Sequence, residues 1–219
     1  MKVQMSVLYT NMILERPFEV ITTSVDGDVL AVLGSTGQAA PLTIAEIHEL
    51  IGARSEAGVR NAAYRLAKQG ILTAHRAGRT TAYTLNDQHL AADAVRYFAN
   101  IRRKLFEMLR HHVASWRVQP VFATVFGSAA TKTMTVDSDI DIFIVRSDDV
   151  EESDLAWTEQ ISGLKDAVIS WTGNAAEVLE VSEREVVEMR KIGDQVIADV
   201  ESHGIPIIES RSFRAGAVR

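Results

Sequence analysis

Two aspartates separated by one apolar residue, Asp139-Ile140-Asp141, stand at the head of the apolar run Ile142-Phe143-Ile144-Val145. On a strand, residues two apart project from the same face. A strand over 140–145 therefore sets two carboxylates side by side. They repel each other unless a cation sits between them, and oxygen-only ligands favour a hard divalent ion such as Mg²⁺. Upstream, residues 121–126 read as a second strand that ends at a Gly127-Ser128 turn. Such a turn offers backbone N–H groups and a hydroxyl without side-chain bulk, which suits phosphate oxygens near the same metal.

Gly127-Ser128, about ten residues, then Asp139-x-Asp141 within apolar residues resembles the signature of the polymerase-β-like nucleotidyltransferases in their small, minimal form. The resemblance implies transfer of a nucleoside monophosphate from an NTP to a hydroxyl of RNA, protein or a small molecule, with Mg²⁺, two ions, as cofactor. It implies that Gly127, Ser128 and Lys132 bind the nucleotide. Asp139 and Asp141 would be catalytic and hold the metal, joined by a third carboxylate from a neighbouring strand. Glu177 and Glu180 in the strand Ala-Glu-Val-Leu-Glu-Val are the candidates for that third place. Three residues apart, they point to opposite faces, and the resemblance places the acid early in this strand, which favours Glu177. The family's usual residue there is Asp. Relatives also commonly carry an Arg just after Gly-Ser, where this chain has Ala129-Ala130-Thr131-Lys132; Lys132 brings a point charge without bidentate geometry. Similar minimal transferases occur as toxins in toxin–antitoxin pairs, which is an implication of the family alone.

The first part of the chain has a different grammar. The β-branched stretch 20–25 reads as a short strand or an arm. Residues 29–33 read as a short helix stopped by Gly34, and 37–41 as a turn. Thr43 with Glu46 three residues on forms a capping box. Ser55 caps a helix whose Val59, Ala62, Ala63, Leu66 and Ala67 recur at helical spacing up to Gly70. Two strands, 71–75 and 80–85, are joined by Arg76-Ala77-Gly78-Arg79. This order resembles a winged helix-turn-helix over residues 26–86. The resemblance implies DNA binding, with Arg54, Ser55, Arg60, Asn61 and Arg65 presented by the third helix to the major groove and Arg76 and Arg79 at the wing tip. Recruitment of tRNA or a protein partner is the competing use of the same surface.

Residues 86–116 carry an uninterrupted three-and-four apolar spacing and read as one long helix, a connector or a dimer-forming element. His111 and His112 are adjacent, so on a helix they do not face one metal. After the Asp-x-Asp strand come an acidic turn with Ser153 or Asp149 as caps, an amphipathic helix with Trp157 and Trp171 in the core, and the strand 176–181. A further helix is capped by Ser182 with Glu185, and its apolar line runs on to Val200. Residues 204–208 read as an edge strand, where Pro206 is tolerated, and 211–219 as a mobile tail. The expected fold is two-domain, α+β with α/β character: a winged helix-turn-helix with its N-terminal arm over 1–90, a connecting helix over 91–117, and a small mixed-sheet nucleotidyltransferase fold over 118–219.

Charge separates the two ends. Residues 1–117 carry 14 Lys and Arg against 10 Asp and Glu, whereas residues 118–219 carry 9 against 19. The front part suits contact with nucleic acid; the back part alone is repelled by it. The absence of cysteine excludes disulfides, thiol catalysis and cysteine-ligated zinc and agrees with a cytoplasmic location. No run of about 18 apolar residues is present, so no membrane partner is expected, and the first ten residues lack the charged and apolar regions of an export signal. Ser128 as an acyl-transfer nucleophile is unsupported, because its flanks are not Gly-x-Ser-x-Gly and His203 is the one histidine downstream. A non-enzymatic reading stands beside the enzyme: a DNA-binding regulator whose transferase domain senses nucleotide.

Overall fold

The computed structural model describes residues 11–35, 40–209 and 213. The expectations for the first ten residues, for most of the turn at 37–41 and for most of the tail at 211–219 lie outside the described residues. The chain divides into two compact units, Leu14–Lys104 and the remainder, so that residues 11–13 belong with Leu105 onwards.

The unit Leu14–Lys104 opens with a 3₁₀ turn, Pro17–Val20, and the strand expected over 20–25 does not form. Pro17 presets a helical φ at the first turn, and Ile21 and Thr22 both donate to the Phe18 carbonyl. The Ser24 hydroxyl then accepts from the Gly27 amide, so α1 (Val25–Gly34) starts four residues before the apolar run suggests. The capping box is present: the Thr43 amide donates to the Glu46 carboxylate at 2.7 Å and the Glu46 amide returns to the Thr43 hydroxyl at 3.4 Å. It starts α2 (Ile44–Ile51), which Gly52 ends at φ +70°. Ser55 caps α3 (Glu56–Lys68). A three-stranded antiparallel sheet, in the order β1 (Leu42–Thr43), β3 (Thr80–Leu85), β2 (Leu72–Ala77), closes the unit. Ala77 pairs with Thr80, so the hairpin turn is only Gly78-Arg79, and Arg76 lies in the strand opposite Thr81. Val29, Leu33, Ile47, Val59, Ala62, Leu66, Tyr83 and Val95 form its core.

The long helix expected over 86–116 is two helices, α4 (Ala92–Ala99) and α5 (Ile101–Ala114). Asn100 makes the break. Its side-chain amide donates to the Arg96 carbonyl at 2.7 Å and to the Gly34 carbonyl at 3.1 Å. An Asn side chain that bonds the backbone competes with helix continuation; neither Gly nor Pro marks the place, so periodicity runs through it.

The second unit is built on a four-stranded sheet in the order β6 (Ala176–Ser182), β5 (Ile140–Arg146), β4 (Phe122–Val125), β7 (Ile205–Ile208). β5 and β6 are parallel, joined through α7 (Leu155–Thr172), and β4 is antiparallel to both its neighbours. β5 lies inside the sheet, which explains its unbroken apolar run. β7 takes Pro206 at the edge. Asp154, rather than Ser153 or Asp149, caps α7 by accepting from the Trp157 amide at 2.9 Å. The single helix expected after Ser182 is also two, α8 (Glu183–Ile192) and α9 (Gln195–His203). Gly193 turns at φ +69° and the Asp194 carboxylate accepts from the Val196 amide. Trp157 is fully buried and meets Trp116 edge to face at 5.7 Å. His112 packs edge to face on Trp171, and burial lowers its pKa. Phe213 falls in the stretch expected to be a mobile tail, yet it is buried and stacks on Phe122 at 3.9 Å. Among the described residues, no helix is long and apolar enough to cross a membrane.

Candidate active site

β4 delivers the chain to the Gly-Ser step. Its last pair, Val125 opposite Ile142, brings Phe126 alongside Asp141, and the Phe126 amide donates to the Asp141 carbonyl at 3.0 Å. The Gly-Ser step is not a simple turn but the start of one short helix, α6 (Gly127–Thr131). Gly127 sits at φ +62°, and a Cβ there would overlap the Asp141 carboxylate. Both facts demand glycine, one through backbone sterics and one through space. Ser128 is half-buried and its carbonyl accepts from Thr133 at 3.1 Å. Lys132 closes the helix at φ +63°, where its amide returns to the Ser128 carbonyl. It is the one non-glycine residue with positive φ among the described residues, and its side chain is exposed.

Asp139 lies one residue before β5 and Asp141 within it. Both are partly buried. Parallel pairing sets Asp141 directly beside Glu177 of β6, so the two side chains emerge on one face of the sheet. Burial pushes the Asp141 carboxyl above its ordinary value, and the negative charges of Asp139 and Glu177 push it further. Three carboxylates thus share one electrostatic neighbourhood. Glu180 does not belong to it. It leaves the opposite face, where its carboxylate accepts from Arg146 at 2.8 Å, and Arg146 also donates to the Val150 carbonyl.

The donor set Asp139, Asp141 and Glu177 is oxygen-only and anionic, with a repulsion that a hard divalent cation would relieve. In chemistry the residues fit such an ion. Among the described residues, however, no three His, Asp or Glu side chains already stand together as a finished ligand cage.

The sequence does not single out Asn174 as a site residue. It is fully buried. Its side-chain amide donates to the Ser138 carbonyl at 2.9 Å, one residue before Asp139. No periodicity marks such a contact; a buried Asn beside a turn is visible only once the chain is folded.

In the other unit, the residues expected to meet DNA are differently placed. Arg54 is turned onto Asp28, to which it donates at 2.6 Å, with Glu19 at 3.5 Å. Ser55 is occupied as the cap of α3, accepting from Gly58 at 3.1 Å. Arg60 pairs with Glu56, and Arg65 with Asp26 at 2.6 Å. Asn61, Arg76 and Arg79 are exposed, and no ion-pair partner of the two arginines occurs among the described residues. Tyr64, which sequence reading passes over, is exposed on α3 with the Lys68 ammonium 4.8 Å from its ring centre.

Residues 108–206 match the family model described as nucleotidyltransferase domain. The match covers the Gly-Ser step, both aspartates and Glu177, and supports nucleotidyl transfer as the general chemistry. No curated protein matches the chain. Similar solved structures include two toxin–antitoxin crystal structures. One is a crystal structure of the toxin–antitoxin MntA–HpeT in a double-mutant form, at 14% identity over 52% of this chain and 82% of that one, with a TM-score of 0.34. The other is a crystal structure of a toxin–antitoxin with AMP-PNP, at 16% identity over 52% and 82%, also with a TM-score of 0.34.

Proposed function

We propose that the unit containing residues 105–209 is a nucleotidyltransferase that moves a nucleoside monophosphate from an NTP to a hydroxyl acceptor, with Mg²⁺ held by Asp139, Asp141 and Glu177. The observation that carries the reading is the pairing of Asp141 with Glu177 across parallel strands, with Asp139 one step away and the Asp141 carboxyl raised by both. Divalent ions bound there would supply Lewis-acid polarisation of the α-phosphate and a counter-charge for the leaving group.

The chain's own groups do the rest. Gly127 brings the backbone directly against Asp141, whose carboxylate takes the space a side chain would fill, so that the Gly-Ser backbone lies beside the acidic group. Ser128 offers a hydroxyl at the first turn of α6, and Lys132 a mobile positive charge for the triphosphate. The acceptor oxygen attacks the α-phosphorus, the bond to the β-phosphate oxygen breaks, and pyrophosphate leaves. The hydroxyl proton passes to a carboxylate of the trio, of which Glu177 is the most exposed.

The unit Leu14–Lys104 has the element order of a winged helix-turn-helix, and we read it as the part that contacts nucleic acid. Asn61 and Tyr64 on α3 and Arg76 and Arg79 on the hairpin are the residues free to do so. Arg54, Arg60 and Arg65 have acidic partners of their own, which favours a weaker or differently aimed surface than a fully basic recognition helix.

The test is incubation with each α-labelled NTP and Mg²⁺, using the wild type and Asp139→Ala/Asp141→Ala, with cell extract as the source of acceptors. Label transferred by the wild type alone supports the enzyme and identifies the acceptor class. No transfer with any NTP, together with salt-dependent DNA binding, replaces it with a nucleotide-sensing regulator. Lys132 in place of the family's Arg is the observation that favours that second reading.

A further inference from the structure

We infer that Asn174 is a positioning residue for Asp139, and that the backbone of Met12 is part of the same device, so that docking of residues 11–13 sets the active site. The inference rests on the transferase reading for its consequence, though not for its geometry.

Asp139 is not held by strand pairing of its own, since β5 begins at Ile140. It is held from both sides by the segment before β6. On one side the Ser138 carbonyl accepts from Asn174 Nδ2 at 2.9 Å. On the other the Ile140 amide donates to the Ala175 carbonyl at 2.9 Å. Asn174 and Ala175 thus fix the peptide groups flanking Asp139, and Ala175 leads directly into the strand that carries Glu177.

Asn174 is in turn held by the far end of the chain. Its Oδ1 accepts from the Met12 amide at 2.9 Å, and its Nδ2 donates to the Met12 carbonyl at 3.2 Å. The side-chain amide therefore meets Met12 as a neighbouring strand would, donor to acceptor and acceptor to donor, and has one N–H left for Ser138. Every polar atom of a fully buried amide is used. If Met12 departs, Oδ1 and one N–H are stranded in the interior, which costs enough to make the amide turn or the loop loosen. A carboxylate that must bind within about 0.5 Å of its working position is sensitive to such a change.

The experiment uses the full chain with three proteins: wild type, Asn174→Leu, which keeps volume and removes all three bonds, and Met12→Pro, which removes the Met12 N–H while leaving Asn174 intact. Hydrogen–deuterium exchange is followed in the peptides spanning 135–141 and 142–146, and kcat and KM for the NTP are measured. The expected result is exchange about tenfold or more faster over 135–141 in both variants, with 142–146 unchanged, and a fall in kcat of about tenfold or more with a smaller change in KM. Unchanged exchange over 135–141 in Asn174→Leu overturns the positioning role. A loosened loop in Asn174→Leu but not in Met12→Pro overturns the part given to residues 11–13. Equal loosening of both peptides means a structural role only and overturns the inference. Faster exchange over 135–141 in a protein whose wild type transfers no nucleotide overturns the transferase reading and leaves the geometry standing.

Discussion

Gly127 and Asp141 pack so closely that the space of a Gly127 Cβ is already filled by the Asp141 carboxylate, and Gly127 holds φ +62° as it passes. One residue ends the route out of β4; the other begins the acidic end of β5. Their contact joins the Gly-Ser motif to the Asp-x-Asp motif, two features that are separate in sequence.

Gly127→Ala therefore strains the backbone and displaces the carboxylate at once. The left-handed conformation alone costs about 1 kcal/mol or more. A displaced catalytic group costs on the order of 10²-fold in rate. Denaturant unfolding and label transfer, measured on the same preparation, separate the two effects; full transfer in a stably folded Gly127→Ala would remove Asp141 from the site.

Asp141 also gives the fold a pH dependence. Its carboxyl is raised above the ordinary value of 3.8 by burial, then by Asp139 and Glu177, so the folded chain holds this proton more tightly than the unfolded chain does. Stability from this group is greatest below the ordinary value, falls as pH rises through the raised value, and stays reduced at neutral pH. Asp141→Asn should raise the melting temperature at neutral pH and leave it unchanged in acid. Mg²⁺ should raise the wild-type melting temperature and have little effect on the variant. Thermal melts across pH, with and without the ion, test both statements.

The two candidate third carboxylates should separate cleanly. Glu177 is exposed beside Asp141, so Glu177→Ala lowers transfer with little change in stability. Glu180→Ala leaves Arg146 without its carboxylate partner and costs about 1.5–3 kcal/mol of stability. Transfer normalised to folded protein should survive in the second variant and fail in the first.

Nucleic-acid binding should depend on the hairpin more than on Arg54. Replacing Arg76 and Arg79 with Ala should make log affinity less steep against log salt, by about one for each phosphate no longer neutralised, without a change in melting temperature. Arg54→Ala breaks the pair with Asp28, which is largely buried, and should lower the melting temperature instead. Titration of duplex DNA and of RNA at several salt concentrations distinguishes the two ligands and shows whether either binds.

Much of this architecture is written locally. The capping boxes at Thr43 and Ser182, the αL glycine after α2, the buried run of β5 and the proline edge strand each depend on residues within a few positions of one another, and short-range sterics and hydrogen bonds decide them. The breaks at Asn100 and Gly193-Asp194 are harder to read. An apolar stripe continues across both, and at Asn100 one of the two side-chain bonds runs to Gly34, on a different helix. The starting point of α1 is displaced for a related reason: the Ser24 cap outweighs the non-helical look of the β-branched residues before it.

For the candidate site, the sequence by itself singles out the two aspartates, because residues two apart on an extended chain project to the same side; Asp141 lies within β5 and Asp139 one residue before it. The resemblance favours Glu177 as the third acid, and the tertiary structure gives the physical reason for its place beside Asp141. Glu177 and Glu180 lie on the same strand, and only the parallel register of β6 on β5 sets one beside Asp141 and gives the other to Arg146. It alone brought Met12, Asn174 and Ser138 together, since a hydrogen bond spanning 162 residues leaves no periodic trace in the sequence. Local propensity acts over a few residues, whereas register and burial are properties of the whole packed sheet.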